Sequence, residues 1–72
     1  MAAMTRDEWI AAFAAELGVD PPDAETVELL LEMAGVAAHA SERTAAPIAC
    51  FLVGLARVAP DAGLATAQSI ES

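Results

Sequence analysis

A small all-α module is the fold class this sequence predicts: three helices, with a possible short fourth, completed by self-association. Three observations point to it. Apolar residues recur at three- and four-residue spacing, and no stretch alternates apolar and polar residues as a half-buried strand does. Helix-start signals stand at Thr5-Arg6-Asp7-Glu8, at Asp20-Pro21-Pro22-Asp23 and at Pro47, one helix length apart. Hydrophobic residues make up 57% of a chain of only 72, and a domain of that size hides only about 60% of its unfolded surface. So apolar a chain is expected to cover its surplus by associating, a dimer being the default.

Helix one is expected over about residues 6–17. Thr5 and Glu8 have the capping-box spacing, in which each side chain satisfies the other residue's amide. Trp9, Ile10, Phe13 and Leu17 then fall within about 100° of a helical wheel. Trp9 and Phe13 are read as core aromatics, with an interface anchor as the alternative. Gly18 suits a left-handed helix end.

Helix two is expected over about residues 24–42, behind a proline turn whose aspartates suit a helix N-terminus. Glu25, Glu28, Glu32, Gly35, His39, Glu42 and Arg43 lie within about 60° of one line, a wet stripe. The rest, including Leu29, Leu30, Met33 and Val36, fills an apolar arc wider than half the circumference. One neighbour cannot cover such an arc, so helix two should be the central element.

Helix three is expected over about residues 46–59, with Pro47 in its first turn, where no intrahelical amide bond is lost. Ile48, Phe51, Leu52, Leu55 and Val58 form its heavy face, and Ala49, Cys50, Val53, Gly54 and Ala56 a smooth back. The heavy face is expected to be core. Binding is expected on the smooth back (Ala49, Val53, Ala56) and on a second stripe of helix two (Leu29, Met33, Val36). A charge at Val53 or Met33 should then abolish assembly and leave the helices intact. Pro60 is read as the stop of helix three, which closes a single helical domain over residues 1–59; residues 60–72 are left as a short helix or a flexible tail.

Charge excludes several classes. Asp and Glu number 11 against 3 Lys plus Arg, a net charge of −8, so a phosphate-tracking nucleic-acid binder is ruled out. An anionic membrane surface is disfavoured for the same reason. The longest uncharged apolar stretch, Ala45 to Ala56, is too short to cross a bilayer. No basic segment followed by an apolar run opens the chain, and one cysteine, Cys50, forms no internal disulfide; a cytoplasmic protein is expected.

Few constellations suggest chemistry. Glu32 and His39 share a face but stand about 10 Å apart along the helix, too far to hold one cation, so no metal is expected. His39, Arg43 and the amides opening helix three near Thr44 form the one candidate grip for an anionic pterin or nucleotide. Cys50 has nothing nearby to form its thiolate and reads as inert. Dinucleotide and phosphate-loop glycine motifs are absent, as is a nucleophile elbow, so neither a cofactor nor catalysis is expected.

Trp9 with Ala14-Ala15-Glu16-Leu17-Gly18-Val19, then Leu29-Leu30-Leu31, and above all Ala38-His39 through Arg43 to Ala45-Ala46-Pro47 and Phe51-Leu52-Val53-Gly54-Leu55, carry a resemblance. From Trp9 onward the chain resembles a small actinobacterial domain of unknown function, often labelled molybdopterin-guanine dinucleotide biosynthesis protein. That domain occurs alone or fused behind a molybdenum cofactor guanylyltransferase domain. The resemblance implies an accessory to molybdenum cofactor maturation that docks on the guanylyltransferase, and it carries no catalytic residue. A purely structural homodimer is the remaining alternative.

Overall fold

The computed structural model describes residues 3–70 and contains four helices: α1 (Arg6–Leu17), α2 (Ala24–Ala40), α3 (Ala45–Ala56) and α4 (Pro60–Ile70). No strand occurs among the described residues. The all-α expectation holds, and the stretch after Pro60 is a helix through Ile70; Glu71 and Ser72 lie outside the described residues.

The helix ends are fixed by local chemistry. Thr5 Oγ1 accepts from the Glu8 amide at 3.1 Å while Glu8 Oε1 accepts from the Thr5 amide at 2.8 Å, so the expected capping box is formed. At the other end Gly18 takes φ 76°, its amide donates to Ala15 O and that of Val19 to Ala14 O, a turn that closes the last carbonyls. Asp23 Oδ1 accepts from the Thr26 amide at 2.8 Å and opens α2.

Three helix ends differ from expectation, each for a backbone reason. α2 stops at Ala40, two residues early, because Ser41 leaves the helical region at φ −143° and ψ −94°. α3 stops at Ala56 because Arg57 adopts φ 59°, with its amide bonded to Gly54 O and that of Val58 to Val53 O. A left-handed residue that is not glycine costs roughly 1–2 kcal/mol. Pro60, read from sequence as a stop, is instead the first residue of α4, the position where a missing amide costs nothing. Asp61 Oδ1 accepts from the Ala62 amide at 2.9 Å beside it.

α2 is the centre, as its wide apolar arc requires: α3 and α4 both pack along it. Met33, 1% exposed, sits at the middle of this trio. α4 approaches so closely that a Cβ on Gly63 would lie 2.9 Å from Val53 Cγ2 and 3.3 Å from Met33 Sδ. An alanine there would force the Val53 side chain to shift. α1 lies to the side, against the start of α2, with Ile10, Ala11, Pro21, Pro22 and Val27 lining the seam.

The result is extended: 43 × 27 × 18 Å, with a radius of gyration of 13.2 Å, where a compact chain of this length has about 11 Å. Its accessible surface of 5565 Å² exceeds by about 1300 Å² what a folded monomer of this mass exposes.

Candidate functional site

His39 lies in the last turn of α2, Arg43 in the turn that follows, and Thr44 at the N-cap of α3; all three are exposed. Thr44 makes no side-chain capping bond. The hollow at the start of α3 is lined by Thr44, Ala45, Ile48 and Leu52 together with Glu42. It includes neither His39 nor Arg43, and the charged side chain it does include is a carboxylate, which repels an anion. Of the three predicted ligand residues, Thr44 alone lines this hollow. Among the described residues no group of three His, Cys, Asp or Glu stands close enough to share a metal ion.

Burial pushes the Cys50 thiol up from its ordinary value, the direction that suppresses the nucleophilic thiolate. The Asp23 carboxyl is held below the usual range by its hydrogen bonds from Thr26, as befits a helix cap.

The surface of the molecule is apolar where its core was expected. Trp9, Phe13 and Leu17 are 55%, 50% and 61% exposed; the reading of Trp9 and Phe13 as core aromatics is corrected. Their rings stack on each other, centroids 4.9 Å apart. Ala14 is the buried residue of α1, and Ile10 is half-buried. The face turned toward α2 is thus the Ile10–Ala14 edge, one helical turn apart. A shallow apolar patch of Met4, Trp9, Ala12 and Phe13, edged by Glu16, covers the outer side.

α3 is turned the other way from expectation. Ile48, Phe51, Leu52 and Leu55 are each more than half exposed, while Ala45, Ala46, Ala49, Cys50 and Val53 are half-buried. The smooth back is therefore the face that packs, and the heavy face looks out. Of the predicted interface set, Met33 is fully buried, Val53 meets Gly63, and Ala49, Leu29 and Val36 are half-buried, while Met33, Ala49, Val53 and Ala56 line a groove between α3 and α4. Of that set only Ala56 is exposed. At Gly63 the close approach of α4 leaves room on α3 for Val53 but not for a side chain the size of phenylalanine.

The sequence of α3 separates its two faces but does not show which of them packs against α2 and α4. A signal for the right assignment was present in the glycine and alanines of Pro60–Ile70, which allow a neighbouring backbone to come near. From Leu52 the outward row runs on into a groove between α3 and α4 lined by Ala56, Val58, Ala67 and Ile70. Row and groove form one apolar face.

Fold and surface together define a class: a small four-helix domain whose conspicuous features are rows of exposed apolar side chains. The chain belongs to the family described as domain of unknown function DUF6457, whose model matches residues 1–72. No curated protein and no solved structure matches it. No helix among the described residues is long and apolar enough to cross a membrane.

Proposed function

We propose that the chain is a non-catalytic interaction module of the cytoplasm, which docks through the outer side of α1 onto a protein partner. The observation that carries this reading is the exposure of Trp9, Phe13 and Leu17 on the surface, with the Trp9 and Phe13 rings stacked on each other. Exposed aromatic anchors of this kind dominate binding energy at protein interfaces. Asp7, Glu8 and Glu16 lie on the same short helix, so the partner's apolar groove is rimmed by Lys and Arg. The Cys50 thiol, pushed up by burial, and the lack, among the described residues, of three His, Cys, Asp or Glu side chains close together support a role without catalysis.

The resemblance carried by Trp9, His39, Arg43 and the Ala45–Leu55 stretch suggests the partner, a molybdenum cofactor guanylyltransferase. The test is titration of the purified enzyme with the full chain, followed by calorimetry and native mass spectrometry. Fixed stoichiometry, weakening with salt and lost in Trp9→Glu, is the expected result. No complex at high micromolar concentrations of both proteins removes the guanylyltransferase as partner, and a complex indifferent to Trp9→Glu removes α1 as the docking surface.

A further inference from the structure

We infer that the outward face of α3 is a self-association surface, and that its occupant is the α3 of a second copy of this chain. The inference rests on the reading of the chain as an interaction module and adds a second face, with a different occupant, to the α1 surface.

Three observations lead to it. The first is the inverted placement of side chains on α3. Ile48, Phe51, Leu52 and Leu55, at 58%, 63%, 53% and 66% exposure, fall within about 100° of the helix circumference. That is the row spacing with which one helix seats against another.

The second is area. The chain exposes about 1300 Å² more than a folded monomer of its mass, and a standard interface removes about 800 Å² from each partner. The α3 row and the groove continuous with it belong to that exposed surface, and covering them would leave the α1 side free.

The third is charge, which selects a second copy as the occupant. The chain carries −8, and two copies meeting at random would repel. The carboxylates are not spread evenly: all except Glu42, Asp61 and Glu71 lie between Asp7 and Glu32. From Ala45 to Ala56 there is no charged residue. The flanks of α3 are balanced, Glu42 with Arg43 at one end and Arg57 with Asp61 at the other. Neither Arg43 nor Arg57 has a salt-bridge partner among the described residues, where the one ion pair is Arg6–Asp7. Two copies meeting antiparallel along α3 therefore bring Arg57 of one toward Glu42 of the other, and keep the acidic residues before α3 apart. Antiparallel helix dipoles favour the same arrangement. The pairing is isologous and closes at two copies.

Sedimentation equilibrium on the full chain, from micromolar to millimolar, is the test. The expected mass is twice 7.4 kDa. Leu55→Glu and Phe51→Glu, both at well-exposed positions, should raise the dissociation constant by about a hundred-fold or more, because the two-fold places each new charge in the apolar seam twice. Their helical circular dichroism should match the parent's. A single-chain mass for the parent at millimolar concentration overturns the inference. So does a doubled mass that survives both variants, or one that Trp9→Glu abolishes while Leu55→Glu does not. If the parent is a single chain that still binds the enzyme through Trp9, only the α3 inference fails. If it dimerises through α3 and binds no enzyme, the α3 inference stands and only the docking proposal falls.

Discussion

α1 and α4, the first and last helices, have exchanged the parts their compositions suggest. α1 contains Trp9, Ile10, Phe13 and Leu17, yet the residue it buries is Ala14. α4 contains glycine, three alanines and two hydroxyl residues between Asp61 and Ser69, yet it packs along α2 and buries Gly63 against Val53 and Met33. In a core this small, a place at the centre goes to the helix whose backbone can come close. A large side chain at the same spot would hold α2 and its neighbour apart and leave voids that no other residue could fill. The bulky residues are left on the surface, where only another molecule can cover them.

This contrast can be broken most directly at its two extremes. Met33→Ala should cost about 2–5 kcal/mol through the cavity it leaves, a large part of the roughly 4–11 kcal/mol that a chain of this length commands. Trp9→Ala, a larger truncation, should cost less than about 0.5 kcal/mol in the single chain, since the indole is exposed. Urea titration at low protein concentration measures both. Equal losses would return α1 to the core. Met33→Glu should unfold the chain, because nothing beside Met33 could pair with a carboxylate.

The Gly63 contact sharpens the comparison at the α4 side. Gly63→Ala gains up to about 1 kcal/mol of helix propensity but drives a Cβ into Val53, a branched side chain with little freedom, at a cost of about 1–3 kcal/mol. A net loss of about 1 kcal/mol is expected in thermal unfolding. In a Val53→Ala background the same substitution should become neutral or stabilising, and failure of that reversal would remove the close approach as the reason for α4's position.

At the α1 side the effect is local. Thr5→Ala removes half of the capping box and should weaken α1 by about 1 kcal/mol. Because α1 shares little packing with the rest, amide exchange should quicken in residues of α1 and stay unchanged in α2, α3 and α4. Smallest is the pH effect at Asp23. Its folded pKa is below the unfolded value, so the stabilisation is complete above the ordinary aspartate range of about 4. It is lost as pH falls through the depressed folded value. Stability measured against pH should lose this acid-side contribution in Asp23→Asn, which keeps a cap without a titrating group.

Local signals made much of the fold legible. The Thr5–Glu8 box, Gly18 and Asp23 set helix ends by bonds within a few residues, and the sequence shows them directly. The central place of α2 followed from an apolar arc too wide for one neighbour, a property of that helix alone. The inverted orientation of α3 was not legible, because it depends on Gly63, a residue on another helix and ten positions beyond Val53. Pro60 was misread for a related reason: a proline is equally at home after one helix and at the first position of the next. As for the site, the three candidate ligand residues shared a sequence neighbourhood, but the turn after Ala40 leaves His39 and Arg43 outside the hollow that Thr44 lines. The exposure of Trp9 and Phe13 could not be read from their spacing, which is the same for an aromatic pair facing a core and one facing outward.

The acidic stripe of α2 has one more consequence, in colloidal behaviour. A chain that wears phenylalanine and leucine on its outside at neutral pH is kept dispersed by the mutual repulsion of its carboxylates. With an isoelectric point near 4.1, acid removes that repulsion and leaves the exposed row of α1 to associate indiscriminately. The carboxylates that take no part in packing thus act as a dispersant, and they are what allows a protein to carry its largest apolar residues on the outside.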